Sequence, residues 1–319
     1  MKKGLKHTAA SLLVLSVAAG GGSSVFALEG QPAPAPGQAA ITAIPAQSAS
    51  QTIYHDYMKL LAAGKLAQAV AFLNNHIAKV DSWTGSMMAL RLENAQNTAI
   101  GRLQTRFESV KTQKELDNAW RKGGSGTYTS LLKYTKDATT RKLLTDSRDQ
   151  GFAVTTAEGM YFPVINYPQY QNWKANVGAD IKLYIDMMAA QTRKPALKDA
   201  ALVIPWSELL QRNLDQEKFI RSYGSSNRIN QVKQQYEMTK IVVFYGSNNT
   251  PLFDYEAKKI NPEALAAYKK VVAAGDTSSS PLLMKVSNFL KVVDRNGGKL
   301  TDDMKKWLAN QAPMGNVSG

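Results

Sequence analysis

Acidic side chains are the residues of this sequence best suited to catalysis. Two carboxylates can hydrolyse a glycosidic bond without histidine or cysteine, one as the general acid and the other as base or nucleophile. Glu158 is the leading candidate for the acid, because it falls in a predicted turn between two aromatic strands. Other candidates are Asp180, Asp186, Glu208, Asp254 and Glu256. No spacing selects a pair, so surface acids in solvated ion pairs are the alternative interpretation.

Other catalytic and metal-binding motifs are missing from the sequence. It has no cysteine, which excludes thiolate nucleophiles, thiolate metal sites and disulfides. It has no GxxxxGK, GxGxxG or HExxH motif. His55 and His76 fall on the two arms of a predicted helical hairpin, and Asp56 lies beside the first. They could form a surface metal site, or they could simply face solvent. We predict neither a metal nor a cofactor.

Aromatic residues are concentrated in residues 152–173. This segment holds six of them in 22 residues, where the 8% aromatic content of the chain would give about two. Tyr and Trp rings stack on sugar rings in many ligand grooves, but rings can equally fasten a hairpin to neighbouring helices. Two later aromatics are expected to join the patch. The predicted glycan-binding residues are Tyr161, Tyr167, Tyr170, Trp173, Trp206 and Tyr245.

Positive charge dominates the sequence, with a formal net charge of +14 and a pI near 9.7. Residues 102–148 hold eleven Lys or Arg and five acids. A basic surface binds extracellular polyanions, such as wall phosphate polymers, by salt-sensitive attraction. A mixed, solvated helical surface is the alternative. Nucleic acid is not the expected ligand, because the aromatics lie apart from the basic segment. The predicted polyanion-binding residues are Arg121, Lys122, Lys133, Lys136, Arg141 and Lys142.

The N-terminus predicts export. Residues 1–27 combine three lysines, a short apolar run and a Val-Phe-Ala ending, which is the pattern of a secretory signal. The apolar run is too short for a membrane span, although a retained anchor is the alternative. Without these residues the net charge is +11. Residues 28–50 are rich in Ala and Pro and predict an extended linker or a disordered mature N-terminus. We predict no transmembrane segment in the mature chain.

Helical periodicity runs through most of the remaining sequence. It predicts a helical N-terminal region over 51–149, a mainly helical C-terminal region over 150–311 and a tail over 312–319. Two short runs around Gly159 predict a β-hairpin at the start of the second region. The expected fold is therefore mainly α, with bundle-like helices and one small β-hairpin in the middle.

Four segments carry a resemblance to other proteins. They read EGMYFPVINY (158–167), DAALVIPWSE (199–208), QEKFIRSY (216–223) and YGSNNTPLFDY (245–255). Over about 150–310 the chain resembles uncharacterised extracytoplasmic proteins of spore-forming Gram-positive bacteria. The resemblance implies export and carries no catalytic or binding residue with it.

These observations predict a secreted, non-enzymatic protein of the cell envelope. It would bind anionic wall polymer through its basic helices and glycan through the aromatic patch. A secreted glycan hydrolase that uses two carboxylates is one alternative. An extracellular module that binds a protein partner is another.

Overall fold

The fold is mainly α, as the sequence predicts. A computed structural model describes residues 46–314, which form 13 α-helices, two short 3₁₀-helices and three antiparallel two-stranded ribbons. The predicted signal sequence, residues 28–45 of the predicted linker and residues 315–319 of the tail lie outside the described residues. The described residues belong to one compact unit. No helix among them is both long and apolar enough to cross a membrane.

Six helices form the first half of the described chain. Helix α1 begins inside the segment predicted as linker and buries Ser50. Four of the helices begin after a Ser, Thr or Asp whose side chain accepts the backbone N–H three residues later, and these caps fix where the helices start. The helices are α1 (Ala46–Ala62), α2 (Leu66–His76), α3 (Ser82–Phe107), α4 (Val110–Gly123), α5 (Tyr128–Tyr134) and α6 (Ala138–Asp149).

The predicted hairpin follows α6. Strands β1 (Phe152–Ala157) and β2 (Met160–Ile165) pair along their whole length, and a two-residue turn joins them. Glu158 and Gly159 in that turn have φ values of 50° and 76°. Positive φ at both turn residues matches the right-handed twist of a two-residue hairpin, and it favours Asn-Gly over Glu-Gly.

Seven more helices and two more ribbons complete the chain. The β-branched run at 241–245 forms the end of a helix rather than a strand. The two later ribbons have strands of only two residues and were not expected from the sequence. The elements are α7 (Tyr167–Tyr170), α8 (Ala179–Arg193), β3 (Leu197–Lys198), β4 (Ala201–Leu202), α9 (Trp206–Ser222), α10 (Ile229–Tyr245), β5 (Gly246–Ser247), β6 (Thr250–Pro251), α11 (Pro262–Ala274), α12 (Pro281–Arg295) and α13 (Asp302–Gln311).

Buried apolar side chains form two hydrophobic clusters. The first holds residues from α1 to α8 and the hairpin, and the second holds residues 204–312. Helices α9 and α10 contribute to both, since Phe219 and Val232 belong to the first cluster, while Leu210 and Phe244 belong to the second. The first cluster continues across the predicted border at 149/150, since Leu144, Phe152 and Ile185 all belong to it.

Candidate functional site

The predicted sugar-binding rings are core residues. Tyr161, Tyr167, Tyr170, Trp173 and Trp206 are each at most 7% exposed. The sixth, Tyr245, is half-buried, and its hydroxyl donates to the carbonyl of Ala312 at 2.9 Å. Large aromatic surfaces gain most from leaving water, and the neighbouring helices offer them an apolar surface. As they lie in the structure, the buried rings do not form a platform that a sugar could reach.

A buried carboxylate, Glu93 of α3, organises several of these rings. Its side chain is 1% exposed, and its Oε1 accepts the hydroxyls of Tyr167 and Tyr184, each at 2.5 Å. Arg228 donates to Oε2 through Nε at 3.0 Å and Nη2 at 2.8 Å. Burial, and then the charge of Glu93, hold the pKa of Tyr184 well above its usual range, so its hydroxyl stays a donor. Glu93 is therefore a fully bonded structural ion rather than an open acid.

Three hydrogen bonds of Gln96 link Tyr170 to the start of the hairpin, and a fourth bond holds Trp173 to α2. Tyr170 donates to Oε1 of Gln96 at 2.7 Å, and Nε2 of Gln96 donates to the carbonyls of Gln150 and Gly151 at 2.8 and 3.2 Å. The indole N–H of Trp173 donates to Oδ1 of Asn74 at 2.7 Å. Since each buried polar atom needs a partner, these bonds fix where the start of β1 meets α3.

Sequence reasoning missed Glu93 and Gln96, although the chain carries a signal for them. Both continue the buried stripe of Ala89 and Leu92 along α3 at helical spacing. A polar pair on an apolar helix face indicates a buried hydrogen-bond network. The partners of Glu93 and Gln96 lie 54 to 135 positions away in the sequence, so no local pattern could have named them.

The carboxylates considered for glycan hydrolysis are engaged in separate local contacts. Glu158 is exposed at the tip of the hairpin, where its backbone N–H donates to Oδ1 of Asp199 at 2.7 Å. Asp180 accepts a hydrogen bond from the hydroxyl of Ser226, and Asp186 pairs with Lys174. Glu208 pairs with Arg212 and Lys194. Asp254 accepts the backbone N–H of Ala257 in the turn that follows it. Glu256 is exposed. These contacts supply a structural role for most of the acids.

The two histidines of helices α1 and α2, His55 and His76, lie in different surroundings. His55 is exposed, and the neighbouring Asp56 pairs with Lys59 at 2.9 Å. His76 is half-buried, stacked on the ring of Phe72 at 4.0 Å between centroids. Within residues 46–314, no group of three or more His, Asp or Glu side chains is arranged to hold a metal ion.

The predicted polyanion-binding residues are all exposed. They lie on α4, α5, α6 and the connection between the last two, and the five other Lys and Arg residues of 102–148 are exposed as well. We call these eleven side chains the basic surface. The six predicted members are Arg121, Lys122, Lys133, Lys136, Arg141 and Lys142.

The acids of the same segment are held close to the backbone. Of the five, only Glu108 is exposed. Glu115 accepts the backbone N–H groups of residues 136 and 137, and Asp137 caps α6 while Lys111 pairs with it. The hydrogen bond from Lys111, followed by those from Thr140, lowers the pKa of Asp137 to about 2. Structural contacts therefore occupy four of the five acids.

Several cations of the basic surface have no acidic partner. The side chains of Arg102, Lys114, Lys122 and Lys136 form no hydrogen bond or ion pair with any residue of 46–314, and Lys133 contacts only the ring of Tyr134. Long side chains of this kind keep their charge in water. They are free to approach an anion at little cost, because no existing ion pair has to break.

No family model, curated protein or solved structure matches the chain.

Proposed function

We propose that this chain is a secreted protein of the cell envelope that binds an anionic wall polymer through the basic surface. Export is supported by the sequence pattern of residues 1–27. The observation that carries the binding proposal is the unequal exposure of charge over 102–148, where all eleven cations are exposed and four of five acids are not.

Five of the eleven cations pair with an acid, and the other six have no acidic partner among the described residues. The basic surface therefore keeps exposed positive charge that no acid neutralises. A polyanion that meets the free cations releases its condensed counterions, and this release makes its binding steeply dependent on salt. A neutral glycan would show no such dependence.

The test is retention on purified cell walls. The chain from Leu28 to Gly319 is incubated with walls over a range of salt concentrations, and sugar release is measured in the same tube. Binding should fall steeply with salt, with no soluble sugar released. Retention that does not change with salt contradicts the proposal. Sugar release that a carboxylate substitution abolishes would favour the hydrolase alternative instead.

A pair of matched variants locates the interaction. The variant Lys122→Gln/Lys133→Gln/Lys136→Gln removes three cations of the basic surface that have no acidic partner in the described chain. If each contacts one phosphate, the slope of log affinity against log salt should fall by roughly one unit per residue. The control removes three exposed lysines elsewhere, Lys79, Lys218 and Lys270. An equal loss in both variants would contradict the assignment to the basic surface, because it would reflect net charge alone.

A further inference from the structure

A groove runs along helices α12 and α13. Its volume is about 570 Å³. Three cations line it, Lys285, Lys291 and Arg295, and all three come from α12. No carboxylate belongs to the lining, which lies wholly within residues 281–311. The sequence analysis did not single out these cations, because they lie outside the strongly basic segment.

The cations follow the axis of α12. A helix rises 1.5 Å per residue, so Lys291 lies about 9 Å beyond Lys285, and Arg295 about 6 Å beyond Lys291. Arg295 forms no side-chain hydrogen bond with the described residues, and Lys291 has only a long contact of 3.4 Å with Asn288. Lys291 and Arg295 therefore have no strong partner in the described chain. Lys285, one end of the series, donates to the carbonyl of Gln311.

Lys285 is partly buried, and the charge of Lys240 reaches it from outside the groove lining. Burial and then the charge of Lys240 lower the pKa of Lys285, while Glu237 opposes them. Glu237 pairs with Lys240. The three cations of the lining, with no carboxylate among its residues, give the groove a preference for negatively charged ligands.

The remaining lining is apolar or neutral. Trp307 is half-buried, with its ring against Phe289 and Phe244 at 5.6 and 5.9 Å between centroids. Its indole N–H forms no hydrogen bond within residues 46–314. Met284 is 40% exposed. The groove thus alternates cations with uncharged surface and keeps one free donor.

We propose that this groove binds a linear phosphodiester chain, with phosphates on Lys291 and Arg295 and the uncharged part of the repeat over Met284 and Trp307. The argument is charge complementarity. Arg pairs with phosphate through two parallel hydrogen bonds, Lys acts as a point charge, and a phosphodiester polymer alternates charged and uncharged groups as the lining does. This inference rests on the polyanion-binding function proposed above and assigns it a second, shaped site.

The experiment titrates a short, soluble glycerol-phosphate oligomer into the chain from Leu28 to Gly319, followed by calorimetry and tryptophan fluorescence. The variant Lys291→Gln/Arg295→Gln should weaken binding by at least about tenfold, the loss expected for two charge-assisted contacts. The matched control Lys79→Gln/Lys218→Gln removes the same charge from exposed positions outside both the groove and the basic surface, and it should weaken binding less than about threefold. Trp307→Phe should abolish most of the fluorescence change.

Two further measurements test whether the binding is specific for this groove and for phosphate. The charge-preserving variant Lys291→Arg/Arg295→Lys should retain binding within about threefold, which separates a lost contact from a lost fold. A polyglutamate of the same charge should bind at least about tenfold more weakly, and equal binding would overturn the preference for phosphate. No binding by the unaltered chain, or equal binding by the groove variant, would overturn the site. The wall-retention assay tests the basic surface independently, so a negative result for the groove would leave the first proposal unchanged.

Discussion

The ion pair between Glu93 and Arg228 allows the sharpest stability prediction. We expect Arg228→Ala to lower the free energy of unfolding by about 3–5 kcal/mol, the usual cost of removing one partner of a buried pair. The geometry supports the upper part of this range. Glu93 is 1% exposed and Arg228 11% exposed, and the guanidinium supplies two of the four hydrogen bonds to the carboxylate. The substitution leaves the two tyrosine hydroxyls as the only described donors to a buried negative charge.

The physical cause can be separated from simple loss of packing by a double-mutant cycle. Glu93→Gln keeps the shape and one acceptor for the tyrosines but removes the charge that needs Arg228. The double variant should therefore be more stable than the sum of the two single losses predicts, by about 2 kcal/mol. Urea unfolding at pH 7, followed by tryptophan fluorescence, measures all four proteins. A loss below about 1 kcal/mol for Arg228→Ala, or strictly additive losses, would refute the reasoning.

Three other changes have defined outcomes. Tyr57→Phe should cost about 1 kcal/mol in urea unfolding, because the buried hydroxyl donates to the carbonyl of Met88 at 3.0 Å; an unchanged midpoint would contradict this. Glu158→Asn should raise stability by about 0.5–1 kcal/mol, since Asn tolerates the positive φ of the hairpin turn better than Glu does, and a destabilised variant would count against the turn assignment. The pKa of Asp137 is lowered to about 2 in the folded chain, so its contribution is present above its usual pKa of 3.8 and is lost as the pH falls toward 2. Asp137→Ala should therefore flatten the pH dependence of thermal stability between about pH 4 and pH 2, whereas an equally steep profile would exclude that role.

Much of the helical layout could be predicted from local signals. Asn261 and Ser280 are the N-caps of α11 and α12, and each precedes a proline in the first turn; Thr301 is the N-cap of α13. Three or four adjacent residues are therefore enough to predict each of these helix starts. The exposure of the basic surface was also predictable, because Lys and Arg are rarely buried without a partner.

The aromatic patch shows what local signals leave out. Residues 152–173 carry the composition of a sugar site, but composition does not say which face of a ring meets α3 and α8. That depends on contacts such as the one between Tyr167 and Glu93, which lie 74 positions apart. The groove escaped prediction for the same reason, since its walls come from two helices whose packing fixes which cations share a side.

Helices α9 and α10 belong to both hydrophobic clusters, and this limits where the chain can be divided into fragments that fold. A fragment that stops in the loop after α8 would lack Phe219 and Val232, and a fragment that starts there would carry those side chains exposed. Either piece would present apolar surface to solvent and should aggregate or be degraded when it is expressed alone. Expression trials should keep the chain whole from α1 to α13, and inserted tags or labels belong in the exposed turn at Glu158 rather than in the α8–α9 connection.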